Sequence, residues 1–310
     1  MPQLARVAAI LPVPNAAPRS AVPLTASEPM SDETRVRLRC TVRGCGRELT
    51  AAGTSVSCLA GHSFDRAKSG YLNLLQVLDR RSSKPGDSAE VVAARRRWMK
   101  SGRSAPLAEA LLEEARRLAL GPRSRLLDVG CGEGSFLGEL EAATGCEAWG
   151  VDISRPAIEA AARRWPAAHW VVCNADLGLP FAERSFELVL SITSRRNAAE
   201  FARVLAPGGA LLFVLPAEDD QRELRALLHG DAYEIDRLPG LAAEMGAAFA
   251  LEREWRLSWV NQLDREAFGD LLATAYRGAR DSQRARLERR EALEVTSSYR
   301  LALFRARVSP

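Results

Sequence analysis

The run Leu126-Leu127-Asp128-Val129-Gly130-Cys131-Gly132-Glu133-Gly134 carries the clearest chemical signature in this chain. A short apolar strand ends in glycines at alternate positions. A carboxylate, Asp152, then closes the next apolar segment, Ala148-Trp149-Gly150-Val151-Asp152. Glycine lets a backbone turn sharply and leaves room for a ligand against the main chain. An acid ending the second strand of a βαβ unit can accept hydrogen bonds from a ribose diol. The pair therefore predicts a nucleoside-binding unit. Its spacing, G-x-G-x-G, is not the G-x-G-x-x-G of dinucleotide enzymes. The plainer alternative for Asp152 is a helix cap.

A second constellation lies upstream. Cys40 and Cys45 form a C-x4-C pair, and after a twelve-residue spacer Cys58 and His62 form a C-x3-H pair. Two short ligand pairs joined by a hairpin-length spacer can converge on a tetrahedral zinc. Gly44, Gly46 and Gly61 stand where tight turns are needed. With all four positions filled by protein, such a zinc is structural and has no open site for catalysis. The competing readings are a disulfide framework and chance clustering. A framework suits neither a reducing compartment nor three cysteines beside one histidine. Cys131, Cys146 and Cys173 have no ligand spacing and read as small packing residues, His169 and His229 as structural histidines.

The frame for these residues is legible in the pattern. An amphipathic helix spans Leu107 to Leu118, followed by a strand from Arg125 to Val129 and a helix from Ser135 to Ala143. Ser154 caps a helix running to Arg164, with Pro156 in its first turn. Strands follow at His169–Cys173 and at Phe186–Ile192, the latter apolar almost throughout, as for a strand covered on both faces. A helix from Ala198 to Leu205 stops at Pro207-Gly208-Gly209, and a strand from Ala210 to Leu215 follows. Helix at Glu223–Leu228, strand at Glu252–Trp259, helix at Arg265–Arg277 and strand at Tyr299–Val308 complete the chain. Such alternation predicts an α/β, doubly wound, mainly parallel sheet, whose ligands bind beyond the carboxyl ends of the strands.

At 310 residues the chain has room for one large domain and a smaller module. No apolar stretch reaches the roughly 18 residues of a membrane span. Six prolines in the first thirty residues mark a tail, and Met30 is an alternative start. The expected organisation is a disordered tail over 1–34, a zinc module over 35–75, a basic linker or helix over 76–104 and a large domain over 105–310. A cytoplasmic location is expected. Arg80, Arg81, Lys84, Arg95, Arg96 and Arg97 cluster ahead of the large domain. They read either as a solvated helix face or as phosphate contacts.

The glycine bend resembles the first motif of S-adenosylmethionine (SAM)-dependent methyltransferases. Leu179-Pro180-Phe181 and the turn Arg203-Val204-Leu205-Ala206-Pro207-Gly208-Gly209 resemble further segments of that class. The block Cys58-x3-His62-x-Phe64-Asp65, Gly70-Tyr71-x-Asn73-Leu74-Leu75 and Pro85-Gly86-Asp87-Ser88-Ala89-Glu90 is more specific. It resembles the bacterial zinc-binding 23S rRNA (guanine-N1)-methyltransferases, a family that includes macrolide-resistance enzymes, over about residues 38–307. The resemblance implies a seven-stranded Rossmann-like class I fold with a zinc-ribbon-like module, two cofactors (SAM and structural zinc) and 23S rRNA as partner. A second copy of the chain is one further partner considered, and no membrane is involved.

The resemblance also implies a donor site at Asp128, Gly130, Gly132, Glu133, Gly134, Asp152, Ile153, Asp176, Leu177 and Ser191. Ser104 aligns with a family tyrosine near the donor, and Asp220 with a histidine after strand five. For Asp176, a loop carboxylate without a ligand is the alternative. Thr193-Ser194-Arg195 replaces the family's aromatic-Ala-Pro after strand four. Segment Ser191–Arg196 has neither the Asn-Pro-Pro-Tyr of adenine amino methylation nor the cysteine of cytosine C5 chemistry. A flipped base would enter a cleft between the modules. A small-metabolite methyltransferase and a non-catalytic RNA-binding relative are the alternatives. No general base is evident.

Overall fold

The computed structural model describes residues 36–79, 85–230, 234–275 and 292–307. The tail expected over 1–34 lies outside them, as do Arg80, Arg81 and Lys84. The N-terminal module is a four-stranded antiparallel sheet in chain order: β1 (Leu38–Arg39), β2 (Glu48–Ala52), β3 (Ser55–Ser57) and β4 (Ser63–Asp65). Then come β5 (Leu72–Asn73), a 3-10 turn at Val77–Asp79 and α1 (Ala89–Lys100).

The large domain begins with α2 (Ala105–Arg117), β6 (Arg125–Val129), α3 (Ser135–Thr144), β7 (Glu147–Asp152), α4 (Arg155–Arg164) and β8 (His169–Val172). Beyond these lie β9 (Phe186–Ile192), α5 (Ala198–Val204), β10 (Leu205–Pro216), α6 (Arg222–His229) and α7 (Leu238–Met245). The chain ends with β11 (Phe249–Asp264), α8 (Arg265–Ala275) and β12 (Ala292–Ala306). None of the described helices is long and apolar enough to cross a membrane.

The large sheet runs β11-β12-β10-β9-β6-β7-β8-β5. From β10 to β5 the pairs are parallel, and β12 inserts antiparallel between β10 and β11. Seven strands belong to the alternating domain, and Leu72–Asn73 adds a short eighth at the β8 edge. Strand order reverses between β6 and β9, and a ligand crevice opens at such a reversal. The glycine bend leaves β6 at that point.

Side chains alternate between the two faces of a strand. Leu126, Leu188, Leu190, Leu212 and Val214 pack against α2, α3 and α4 through Leu107, Leu111, Leu137, Leu140 and Ile158. On the opposite face, Leu127, Val129, Val189, Leu211 and Phe213 meet α5 and α7 through Phe201, Val204, Leu241 and Met245. That second core also holds Val36, Leu38, Cys40, Leu49, Val56 and Cys58 of the N-terminal module. No helix among the described residues connects β8 to β9. The module covers the sheet beside that connection. Its backbone zips onto Leu179-Pro180-Phe181: the Arg39 amide donates to the Pro180 carbonyl, and the Ala182 amide to the Arg37 carbonyl, both at 2.9 Å.

In the large domain one helix is absent from the pattern reading, and one strand pair is longer than it gives. Helix α7 begins Leu238-Pro239-Gly240, which reads as a loop, although proline is compatible with the first helical turn. The β11–β12 ribbon extends to Asp264↔Ala292 through Thr296, Ser297 and Ser298, buried polar residues without an apolar signature.

The Pro85–Glu90 motif is a structural latch. Ser88 caps α1 by accepting the Val91 amide, and the Asp87 carbonyl accepts the Ser154 hydroxyl at 2.7 Å. Gly86 adopts φ +79, and a Cβ there would stand 2.8 Å from the Ser154 backbone nitrogen. Replacing Gly86 by Ala therefore combines backbone strain with a clash and should cost about 1–3 kcal/mol. Thermal denaturation should show the Gly86→Ala midpoint several degrees below that of the parent; an unchanged midpoint contradicts the packing.

Candidate functional site

Cys40 and Cys45 sit in the turn between β1 and β2, and Cys58 and His62 flank the turn between β3 and β4. Backbone bonds shape both turns: the Cys45 amide to the Val42 carbonyl, and the Gly61 amide to the Cys58 carbonyl, each at 2.9 Å. The four ligand atoms all lie within 4.8 Å of one another. Cys45 and Cys58 sulfurs are 3.8 Å apart, and His62 Nδ1 lies 3.4 Å from Cys40 Sγ and 3.5 Å from Cys58 Sγ. A tetrahedral zinc with its usual bond lengths has S–S edges of about 3.8 Å and S–N edges of about 3.6 Å. The cage fits zinc, bound through His62 Nδ1, with every position supplied by protein.

At the sheet's reversal point the bend is built by backbone bonds and one carboxylate. Gly130 (φ +78) and Cys131 both donate their amides to the Val151 carbonyl. Asp152 Oδ2 accepts the Gly132 amide at 2.9 Å, and Oδ1 accepts the Ser154 amide at 2.8 Å. The residue thus braces the bend and the start of α4 together, while the cap of α4 is Ser154, whose hydroxyl accepts the Ala157 amide. Burial raises its pKa, while the two amides act in the opposite direction. A Cβ at Gly130 would fall on the Ser194 hydroxyl, and one at Gly132 would stand 2.9 Å from Arg95 Nη1.

Two cavities adjoin here, sharing Arg95, Gly130, Ile192 and Thr193 in their walls. The first, about 650 Å³, is lined by Asp152, Ile153, Asn174 and Asp176. The second, about 370 Å³, is lined by Ser104, Asp128, Glu133 and Ser135, by Trp98, Met99 and Phe136, and by Asp220, Gln221, Arg225 and Tyr299. Asp128 Oδ1, Glu133 Oε2 and Ser135 Oγ are buried there without a hydrogen-bond partner among the described residues. Burial, and then the charge of Asp152, lifts Asp128 to about 7. Buried acceptors left unpaired in a pocket favour a ligand that brings positive charge and N–H donors. The sulfonium and amino groups of SAM provide both, and the first cavity has the acidic rim that an adenosine needs.

The predicted residues do not all converge. Gly130, Asp152, Ile153 and Asp176 line the first cavity, and Ser104, Asp128, Gly130 and Glu133 the second. Ser191 is buried beneath the site, donating to the Arg195 carbonyl at 3.2 Å. Leu177 points elsewhere: it is 59% exposed and lines a separate cleft beside the Cys40–Gly46 turn. Ser104 accepts the Trp98 indole N–H at 3.0 Å.

Of the basic residues, Arg95 lines both cavities and pairs with Asp87 at 2.9 Å. Arg96 is exposed, and Arg97 forks onto Asp270 of α8. The cavity wall expected from the N-terminal module is formed by α1, α6, α8 and β12 instead. Trp98, Gln221 and Arg225 have no site signal in the sequence because their approach depends on how distant helices pack.

Comparison with known proteins gives two family matches: "Methyltransferase domain" over residues 126–209 and "RlmA, N-terminal" over residues 38–83. The 23S rRNA (guanine(748)-N(1))-methyltransferase of Streptomyces fradiae is 35% identical over 232 residues, 74% of this chain and 81% of that protein. YxjB of Bacillus subtilis (strain 168), which carries a 23S rRNA (guanine-N(1)-)-methyltransferase name provisionally, is 35% identical over 233 residues, 72% of this chain and 80% of that protein. Among solved structures, a SAM-dependent methyltransferase from Thiobacillus denitrificans in complex with S-adenosyl-L-homocysteine matches with TM-score 0.42 and 18% identity. That match covers 65% of this chain and 92% of the other.

Two measurements test the site. Metal analysis should find one zinc per chain, and Cys58→Ser should lose it and lower the melting midpoint of the whole chain, because the cage shares the sheet's core. The second concerns Asp128. Its folded pKa lies above the unfolded value, so stability is lost as pH rises from about 4 to about 7 and changes no further above that. Asp128→Asn should melt above the parent at pH values over about 7, the gain shrinking as pH falls and vanishing below about pH 3, where the carboxyl is protonated in both states. Its affinity for SAM should fall in the same preparation. A variant less stable than the parent at high pH contradicts the assignment.

Proposed function

The chain belongs to the family of 23S rRNA (guanine-N1)-methyltransferases, and on that premise we propose that it methylates N1 of a guanine in a hairpin loop of 23S rRNA. The enzyme is a SAM-dependent methyltransferase with a structural zinc. The observation that carries the acceptor assignment is the joining of the two modules. A family match spans residues 38–83, and the 35% identity to the Streptomyces fradiae enzyme covers most of both chains. A ribosomal substrate places the protein in the cytoplasm.

Bound SAM supplies an electrophilic methyl group, and the chain's own residues do the rest by positioning. Asp152, with Ile153 and Asp176 beside it, holds the adenosine end. The unpaired oxygens of Asp128 and Glu133 take the charged end. Trp98, Met99, Leu107, Phe136 and Leu271 exclude water from the smaller cavity. Methyl transfer needs an in-line nucleophile, so orientation can supply much of the rate. The smaller cavity is a half-open pocket, and a guanine must leave its stack to enter it. Arg96, exposed on α1, together with other surface arginines, contributes salt-sensitive attraction to phosphates. Recognition beyond that comes from loop shape and exposed bases.

The pure protein, incubated with labelled SAM and undermethylated 23S rRNA, should place the label on N1 of a guanine, with a rate that falls steeply as salt is raised. Label on another atom, or on free small molecules alone, refutes the assignment.

A further inference from the structure

Guanine N1 carries a proton that must leave as the methyl arrives, and the acceptor assignment above requires a group to receive it. Resting on that assignment, we propose that Asp220 is the catalytic residue that takes the N1 proton. Four observations converge on it. The cavity of about 370 Å³ is walled by Gly130 and Glu133 of the bend and also by Asp220, Gln221 and Tyr299. An acceptor lying between bend and Asp220 would have the donor and the carboxylate both within its reach.

Second, Asp220 is held as a base must be. It is 5% exposed, and its Oδ1 accepts the Ser298 amide of β12 at 2.9 Å. No hydrogen bond among the described residues reaches Oδ2, which leaves one oxygen for an N–H. Third, the adjoining backbone is strained. Gln221 has φ +54 and Thr193, in the same cavity wall, has φ +50, neither being glycine. Such conformations persist only where surrounding contacts enforce them, and they concentrate at functional sites. Here the Gln221 amide is pinned to the Thr296 carbonyl at 2.7 Å, while its buried Oε1 has no partner among the described residues.

Fourth, the chemistry is matched. Burial raises the Asp220 carboxyl to about 7, with the Ser298 amide and Arg225 acting against the rise and Asp219 and Glu234 adding to it. A base tuned near neutrality is both ionised and able to accept a proton. The other carboxylates fit less well. Both Asp152 oxygens are occupied by backbone amides. Asp128 lines the same cavity with an unpartnered Oδ1, but that oxygen is committed to the charged end of SAM. Glu133 is the remaining competitor.

In the step, the N1–H bond breaks toward Asp220 Oδ2 and the N1 electron pair forms the bond to the methyl carbon. The carbon–sulfur bond opens with its electrons staying on sulfur. The sulfonium charge and the carboxylate charge are cancelled together, and neutral guanine becomes neutral N1-methylguanine.

The test compares the full-length parent with Asp220→Asn and Glu133→Gln. Single-turnover methylation of undermethylated 23S rRNA is followed from about pH 6 to about pH 9, alongside calorimetric SAM affinity and a thermal melt. The charged groups facing Asp220 are Asp219, Arg225 of α6, Glu234 and Tyr299 of β12, and all remain in place.

The parent rate should rise about tenfold per pH unit below about 7 and then level. Asp220→Asn should be slower by about a hundredfold or more with no such limb, SAM affinity staying within about twofold. The proposal falls if Asp220→Asn keeps the rate and the limb, if its SAM affinity drops by the same factor as its rate, or if Glu133→Gln removes the limb instead. If the parent forms no N1-methylguanine, the acceptor assignment falls and the proposal with it; N1-methylguanine from an unimpaired Asp220→Asn removes the proposal alone.

Discussion

Strands β6 to β10 send apolar side chains to both faces of the sheet, and water must be kept from each. Helices α2, α3 and α4 shield one face. The other has α5 and α7 but no helix where the chain crosses from β8 to β9. There the zinc-binding module fills the layer. Leu38, Leu49 and Val56 join Trp149, Phe181 and Phe186 in one core, and the β1 backbone pairs with the Leu179–Phe181 strip. A module of short strands buries too little apolar surface to stand alone, so a metal cage must fix its turns. Module and sheet therefore depend on each other.

The donor site inherits this rigidity. The bend is fixed to β7 through the Val151 carbonyl and Asp152, and β7 to the core beneath it. Latch Pro85–Glu90 ties α1 to the start of α4, so α1 carries Arg95, Trp98 and Met99 to the mouth of the site. Buried acidic oxygens without partners are a standing cost to the fold that a positively charged ligand offsets. Arg95 was grouped with the phosphate contacts from its place in a basic run. Its guanidinium instead lies beside Gly132 and Asp87, which shows how little charge pattern says about direction.

Much of this was readable in the residues. Strands β6 and β9 start and end where the apolar runs do, Ser154 caps α4, and the Cys/His spacing closes on one point in space. Local signals sufficed there because each depends on near neighbours in sequence. The misses share the opposite property. Leu177 follows the strand that leads to the donor cavity, yet the loop turns it toward the module. Gln221 reaches the donor cavity only because its amide is pinned to β12, which no periodicity reports, and Asp220 beside it stands out in the sequence through the family alignment alone. Segment Leu179–Phe181 resembles a donor-site motif but works here as the docking strip for β1.

The covering role of the module has a consequence for how the chain is made. Residues 36–65 leave the ribosome well before Phe181, Phe186 and Phe213 exist to receive them. During that interval the emerging segment has only its four ligands and its own short strand pairs to organise it. Zinc capture thus sets a timetable for synthesis: the knot ties first, waits exposed, and later becomes the lid onto which the sheet is built.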